Sequence, residues 1–177
     1  QLCKNWYPQK SPKATSVQID LTYLDTEDRM LLKIAAAKVD MSWLLTRKLL
    51  LRLLKVWTAK LQEVALPSMG DYLPNAPRNL EQEHSLALEF DGPHPKYESS
   101  PILNFGDAHL LLEINLKLSS IQTQLTLKGA SQETTLSLSR RETHAFIEML
   151  FVKSKHAGWL VAASFPDWLT GQQSTNV

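Results

Sequence analysis

Polar and apolar residues alternate strictly at the start of the readable pattern. Val17, Ile19, Leu21 and Tyr23 interleave with Gln18, Asp20 and Thr22, which predicts a half-buried strand over 16–24. Asp25-Thr26-Glu27-Asp28 supplies turn residues, and a second apolar stretch, 30–38, follows at once, so the two strands are expected to form an antiparallel hairpin. The period then lengthens. Leu45, Leu49, Leu53, Val56, Trp57, Leu61 and Val64 fall on one arc at helical spacing, and Asp40 is a good N-cap, which predicts a long helix over 41–64. Residues 65–107 are broken by Pro67, Pro74, Pro77, Pro93, Pro95 and Pro101. Within them Asn79-x-x-Gln82 opens a short helix over 79–90, with a strand as the alternative because Leu86, Leu88 and Phe90 alternate.

Three more strands are expected over 109–118, 121–128 and 134–138. Their inward sets are Leu112, Ile114, Leu116 and Leu118, then Ile121, Thr123, Leu125 and Leu127, then Leu136 and Leu138. Ser139-x-x-Glu142 is a capping box opening a helix to about Ser154, closed by Ala157-Gly158-Trp159. The succession strand, turn, strand, capped helix occurs at 16–64 and again at 121–154, with negligible residue identity between the two. The fold expected is α+β: a mainly antiparallel five-stranded sheet with helices packed on one face, in a single domain over 16–165, with tails at 1–15 and 166–177.

Composition narrows the function. The formal net charge is +1, so no whole-protein field draws nucleic acid or an anionic membrane. The most apolar stretch, Trp43 to Trp57, carries Arg47, Lys48, Arg52 and Lys55, so no membrane insertion is expected. Cys3 is the single cysteine, which rules out an intrachain disulfide within this sequence and fits a cytoplasmic location. The six glycines are dispersed and form no phosphate-binding loop. Five histidines form no metal spacing; His144 and Glu148, one turn apart, read as a helix-surface pair. Asp91-Gly92-Pro93-His94 reads first as a turn. No nucleophile, metal cluster or cofactor loop can be assembled, so an enzyme is not expected, and no catalytic residue, metal or cofactor is assigned.

The order of signals resembles a group of small uncharacterised bacterial proteins. The residues that carry the resemblance are Leu21-Thr22-Tyr23-Leu24-Asp25, Trp43-Leu44-Leu45-Thr46-Arg47-Lys48, Glu83-His84 with Leu86-Ala87, and Ala157-Gly158-Trp159. That group usually has two arginines after the threonine, where this chain has Arg47 and Lys48. The resemblance implies a bacterial origin and this order of elements, and no activity.

Two features point to binding. Leu44 and Leu51, a heptad apart on the expected helix, lie among Arg47, Lys48, Arg52 and Lys55, giving an apolar stripe with charged edges. Aromatic residues also sit near both ends, Trp6-Tyr7 and Phe165-Pro166-Asp167-Trp168. The expected function is therefore a non-enzymatic binding or assembly protein. It would act through Leu44, Arg47, Lys48, Leu51, Arg52, Lys55 and Trp168 on a protein partner or a second copy. The alternative is a small-ligand or nucleic-acid binding module using the same cations, although the charge balance argues against nucleic acid.

Overall fold

The computed structural model describes residues 18–36, 39–64, 79–89, 107–160 and 165–171. The architecture is α+β, but the strands form two sheets, not one of five. The first is ordered β1 (Gln18–Leu24), β2 (Arg29–Ala36), β3 (Val39–Thr46), β4 (His109–Leu110). The second is ordered β5 (Glu113–Leu118), β6 (Gln122–Lys128), β7 (Glu133–Ser139) and is antiparallel throughout. In the first sheet only the β3–β4 pair is parallel. Helices α1 (Arg47–Glu63), α2 (Leu80–Glu89), α3 (Arg140–His156) and the single turn α4 (Asp167–Thr170) complete the described elements.

The main correction is β3. The helix expected from residue 41 starts only at Arg47, and Val39–Thr46 is a strand pairing along the whole of β2. Met41, Trp43 and Leu45 lie opposite Ile34, Leu32 and Met30, so the period-two set is satisfied across the ladder. Thr46, not Asp40, is the N-cap: it is extended (φ −76°, ψ 150°) and its hydroxyl accepts from the Leu49 N–H at 3.4 Å. With this strand the two halves match. β1-β2-β3-α1 and β5-β6-β7-α3 are each a three-stranded meander whose last residue, Thr46 or Ser139, caps a helix of 17 residues.

The expected boundaries of α2 and α3 hold. Asn79 Oδ1 accepts from the Gln82 N–H at 2.8 Å. Ser139 and Glu142 form the reciprocal capping box. Gly158, at φ 69°, ends α3 in a Schellman motif: the Trp159 N–H donates to Ser154 O and the Gly158 N–H to Lys155 O.

One residue explains why the strand expected over 109–118 is two. Leu112 and Glu113 both face Lys128, whose carbonyl accepts from the Leu112 N–H at 2.9 Å, which is a β-bulge. The N–H of Leu111 points the other way, to Leu44 O at 3.0 Å, and joins the first sheet. The extra residue shifts the alternation: Leu111 is buried, Leu112 is 57% exposed, and Ile114, Leu116 and Leu118 return to the inner face, half-buried. Leu112 therefore does not belong to the inward set, and neither does Ile121, at 67% exposure in the β5–β6 turn.

A single apolar core spans both sheets. Leu21, Met30, Leu32, Ile34, Trp43 and Leu45 of the first sheet meet Leu125, Leu127, Leu136 and Leu138 of the second, under Leu50, Leu54, Trp57 and Leu61 of α1 and Phe146, Ile147 and Leu150 of α3. Trp57 meets Phe146 edge-on at 5.6 Å, locking the two long helices together. The chain after α3 is pinned to the first hairpin: Trp159 Nε1–H donates to Asp28 Oδ1 at 2.6 Å, and Tyr23 OH donates to the same oxygen. Within the stretch read as a C-terminal tail, α4 buries Leu169 in the core.

Gly129, at the β6–β7 turn, lies against the first sheet. A Cβ there would lie 3.0 Å from the Trp43 ring and 3.1 Å from Leu110 O. Trp43 is fully buried and has nowhere to retreat. Gly129→Ala is expected to cost about 1–3 kcal/mol through overpacking, read as a lower urea midpoint with an unchanged slope.

Candidate functional site

The binding residues expected from the sequence do not all share one surface. Leu44 belongs to β3, where its carbonyl serves the sheet, and its half-buried side chain lies on the outer face beside Leu31 of β2 and Leu110 of β4. Leu51 is half-buried and packs against the core. The stripe of two leucines along one helix therefore does not exist. Arg47, Lys48, Arg52 and Lys55 are all exposed at the start of α1. None of the four forms an ion pair among the described residues.

What replaces the stripe is a groove beside those cations. Leu49, Arg52, Leu53 and Val56 stand at i, i+3, i+4 and i+7, so they line one side of α1. Facing them are Leu112, Glu113, Ile114 and Leu116 of the bulge and β5, and the space between measures about 270 Å³. Among the described residues β5 is the last strand of its sheet on this side. Val56, Leu110 and Leu112 are 40%, 41% and 57% exposed, three of the four large exposed hydrophobics among the described residues. Apolar surface concentrated at an open strand edge and rimmed by charge has the composition of a contact surface.

A second constellation was not assembled from the sequence. Glu83 and His84 of α2 meet Arg140, His144 and Glu148 of α3 in the protein interior. Arg140 Nε and Nη2 donate to the two Glu83 oxygens at 2.6 and 3.2 Å, a forked ion pair with both partners buried. His144 Nε2 stands 3.3 Å from Glu83 Oε1, near enough for charge attraction but off the line of a hydrogen bond. The Nδ1 atoms of His84 and His144 are 3.1 Å apart, and His84 Nε2 lies 3.2 Å from Glu148 Oε2. His144, read as half of a surface pair with Glu148, is thus fully buried, and His84 stands between them.

The geometry restricts the protons. Two Nδ1 atoms in contact share one hydrogen, so both rings cannot carry it. The single shared hydrogen lies between the two Nδ1 atoms, and the Nε2 atoms of His144 and His84 face Glu83 and Glu148. Trp168 of α4 closes this cluster, presenting its ring edge-on to His84 at 5.1 Å and to His144 at 5.9 Å. Trp168 therefore covers α2 and α3 and does not reach the basic side of α1. The available signal was the spacing of Arg140, His144 and Glu148 at i, i+4 and i+8; the partners on α2 had none.

Chemically Glu83, His144, His84 and Glu148 form a row joined by one close charge contact and two hydrogen bonds, and the groove described above is not lined by any of its members. No group of three or more His, Cys, Asp or Glu among the described residues could hold a metal ion. His94 and Asp91 lie outside the described residues, as does Trp6-Tyr7. Among the described residues no helix is long and apolar enough to cross a membrane.

Burial by itself raises the Glu83 pKa, but His144 and the Arg140 fork face the carboxylate and outweigh it, so the group is held below its ordinary value of 4.5. A depressed carboxylate stabilises the fold above its unfolded pKa, and that contribution is lost as pH falls from about 4.5 through the lower folded value. Glu83→Gln leaves a buried guanidinium without its counter-charge and is expected to cost about 3–5 kcal/mol at neutral pH. Urea melts across pH 3–7 should show the variant's stability changing less with acid than that of the wild type. No family model matches this chain, and no curated protein or solved structure shows significant similarity to it.

Proposed function

We propose that this chain is a non-enzymatic binding or assembly protein that works through protein–protein contacts at the groove between α1 and β5. The observation that carries the reading is the exposure of Val56 of α1 and Leu112 of the bulge in the groove beside β5, next to cations without acidic partners among the described residues. Isolated exposed leucines are ordinary; a cluster at an unpaired edge is the feature that folded chains normally blunt or cover. The His84–His144 contact fits a structural clamp in this reading. It ties α2, α3 and α4 together.

A second reading has one observation in its favour. Lys48, Arg52 and Lys55 stand at i, i+4 and i+7 and form an exposed basic row along the groove, suited to a phosphate-bearing ligand. The two readings separate cleanly. Val56→Asp puts a charge into the apolar groove and, as a surface change, should alter stability by only about 0.5 kcal/mol. On the assembly reading, a partner identified by affinity purification from the native source is lost with Val56→Asp, while binding to a single-stranded oligonucleotide is absent. Salt-sensitive oligonucleotide binding that disappears when Lys48, Arg52 and Lys55 are changed to Ala would favour the second reading. A partner captured equally by Val56→Asp would remove the groove from the proposal.

A further inference from the structure

We propose that the open edge of β5 pairs with β5 of a second copy of this chain, making one continuous sheet across a two-fold axis. The inference deepens the assembly reading and rests on it. The first part of the argument is which backbone groups are free. Ser119 N–H donates to Gln122 O, and these residues continue the β5–β6 register, so the odd positions of β5 turn their N–H and C=O toward β6. The even positions, Ile114, Leu116 and Leu118, turn theirs to the other side, where the sheet has no further strand among the described residues.

The second part is self-complementarity. An antiparallel pair of identical strands centred on Asn115 places Ile114 opposite Leu116 of the second copy. Both positions have edge-facing backbone groups, so the two can exchange N–H···O=C bonds. In that register Glu113 falls opposite Lys117 of the second copy, and Lys117 opposite its Glu113. These are non-hydrogen-bonded pairs, where side chains approach most closely. All four side chains are on the exposed outer face. Shifting the centre to Ile114 or Leu116 keeps the backbone bonds but sets Glu113 against Asn115 or Ser119, and the charge match is lost. The sequence Glu113-Ile114-Asn115-Leu116-Lys117 thus reads as its own partner, with charge and apolar character both matched about Asn115.

The third part is the groove. On the inner face the second copy's Ile114 and Leu116 would lie beside Leu49, Leu53 and Val56 of α1, occupying the space that one copy leaves open. Within one chain Glu113 accepts a hydrogen bond from Asn115 Nδ2 at 2.7 Å and stands 4.0 Å from Lys128 Nζ, and Lys117 has no acidic partner among the described residues. An isologous contact of this kind closes on itself and builds no filament.

The test is a charge swap read by sedimentation equilibrium of the full chain over a range of concentrations. Glu113→Lys alone and Lys117→Glu alone each place two like-charge pairs in the dimer and are expected to weaken it about tenfold. The double variant Glu113→Lys, Lys117→Glu rebuilds both pairs with the signs exchanged and should return the dissociation constant to within about threefold of the wild type. Within one strand the two positions are four residues apart and do not face each other, so rescue reports on the second copy alone. Circular dichroism of each variant checks that the monomer is intact. A wild-type chain that stays monomeric, a dimer indifferent to the single reversals, or a double variant without rescue would each overturn self-pairing. A monomer that still captures a protein through Val56 would overturn self-pairing while leaving the assembly reading in place.

Discussion

β3 stops at Thr46, where the backbone turns into α1, while the chain beside it runs on through β5 to Leu118. A strand can satisfy its backbone groups only where a neighbour exists. His109 and Leu110 have β3 on one side, whereas Glu113 to Leu118 have β6 on the other. The bulge at Leu112 lets a single length of chain serve two sheets in succession, and it re-aims the side chains as it does so. Most of what distinguishes the surface follows from this handover: the split sheet, the half-buried inner residues of β5, the groove under α1 and the exposed Leu112.

The same handover explains which parts of the fold were legible beforehand. Local signals survived intact: the Ser139–Glu142 box, the Asn79 cap, the Gly158 stop and the alternation of β1, β6 and β7 depend on neighbours in sequence. β3 was misread because Trp43-Leu44-Leu45 fits both periods, and Leu45, Leu49 and Leu53 extend the helical stripe backwards through it. What decides for a strand is the row Met30, Leu32, Ile34 waiting opposite, which is a tertiary fact. The bulge is hidden in Leu110-Leu111-Leu112, where three identical residues erase any record of alternation. The basic residues of α1 are exposed, but their apolar neighbours in the groove are Leu49, Leu53 and Val56, residues assigned to the core arc, and not Leu44 and Leu51. The Glu83–Arg140 pair joins residues 57 positions apart, and nothing near either announces the other.

The buried polar cluster and the open edge answer different needs. The cluster holds α2, a ten-residue helix with a modest apolar side, against α3 by a charge fork and a histidine contact. Ion pairs of this kind add little net stability compared with an apolar equivalent, since two charges must leave water. They do fix orientation, because Glu83 finds its fork only when α2 lies at one angle and one register on α3. Trp168 then has a defined surface on which to rest its ring, and Leu169 a defined gap in the core.

The matched halves carry a consequence for the order of events during folding. Within each half every strand pairs with its neighbour in sequence, and each helix starts on the residue that ends a strand, so loop closure costs little and these units form early. The contacts between halves are of another kind: β3 against β4 joins Trp43 to His109, and Asp28 to Trp159 spans 131 positions. These long closures come last. Trp43 and Leu125 are buried in one shared cluster, so each half depends on the other to complete the cover of its inner face.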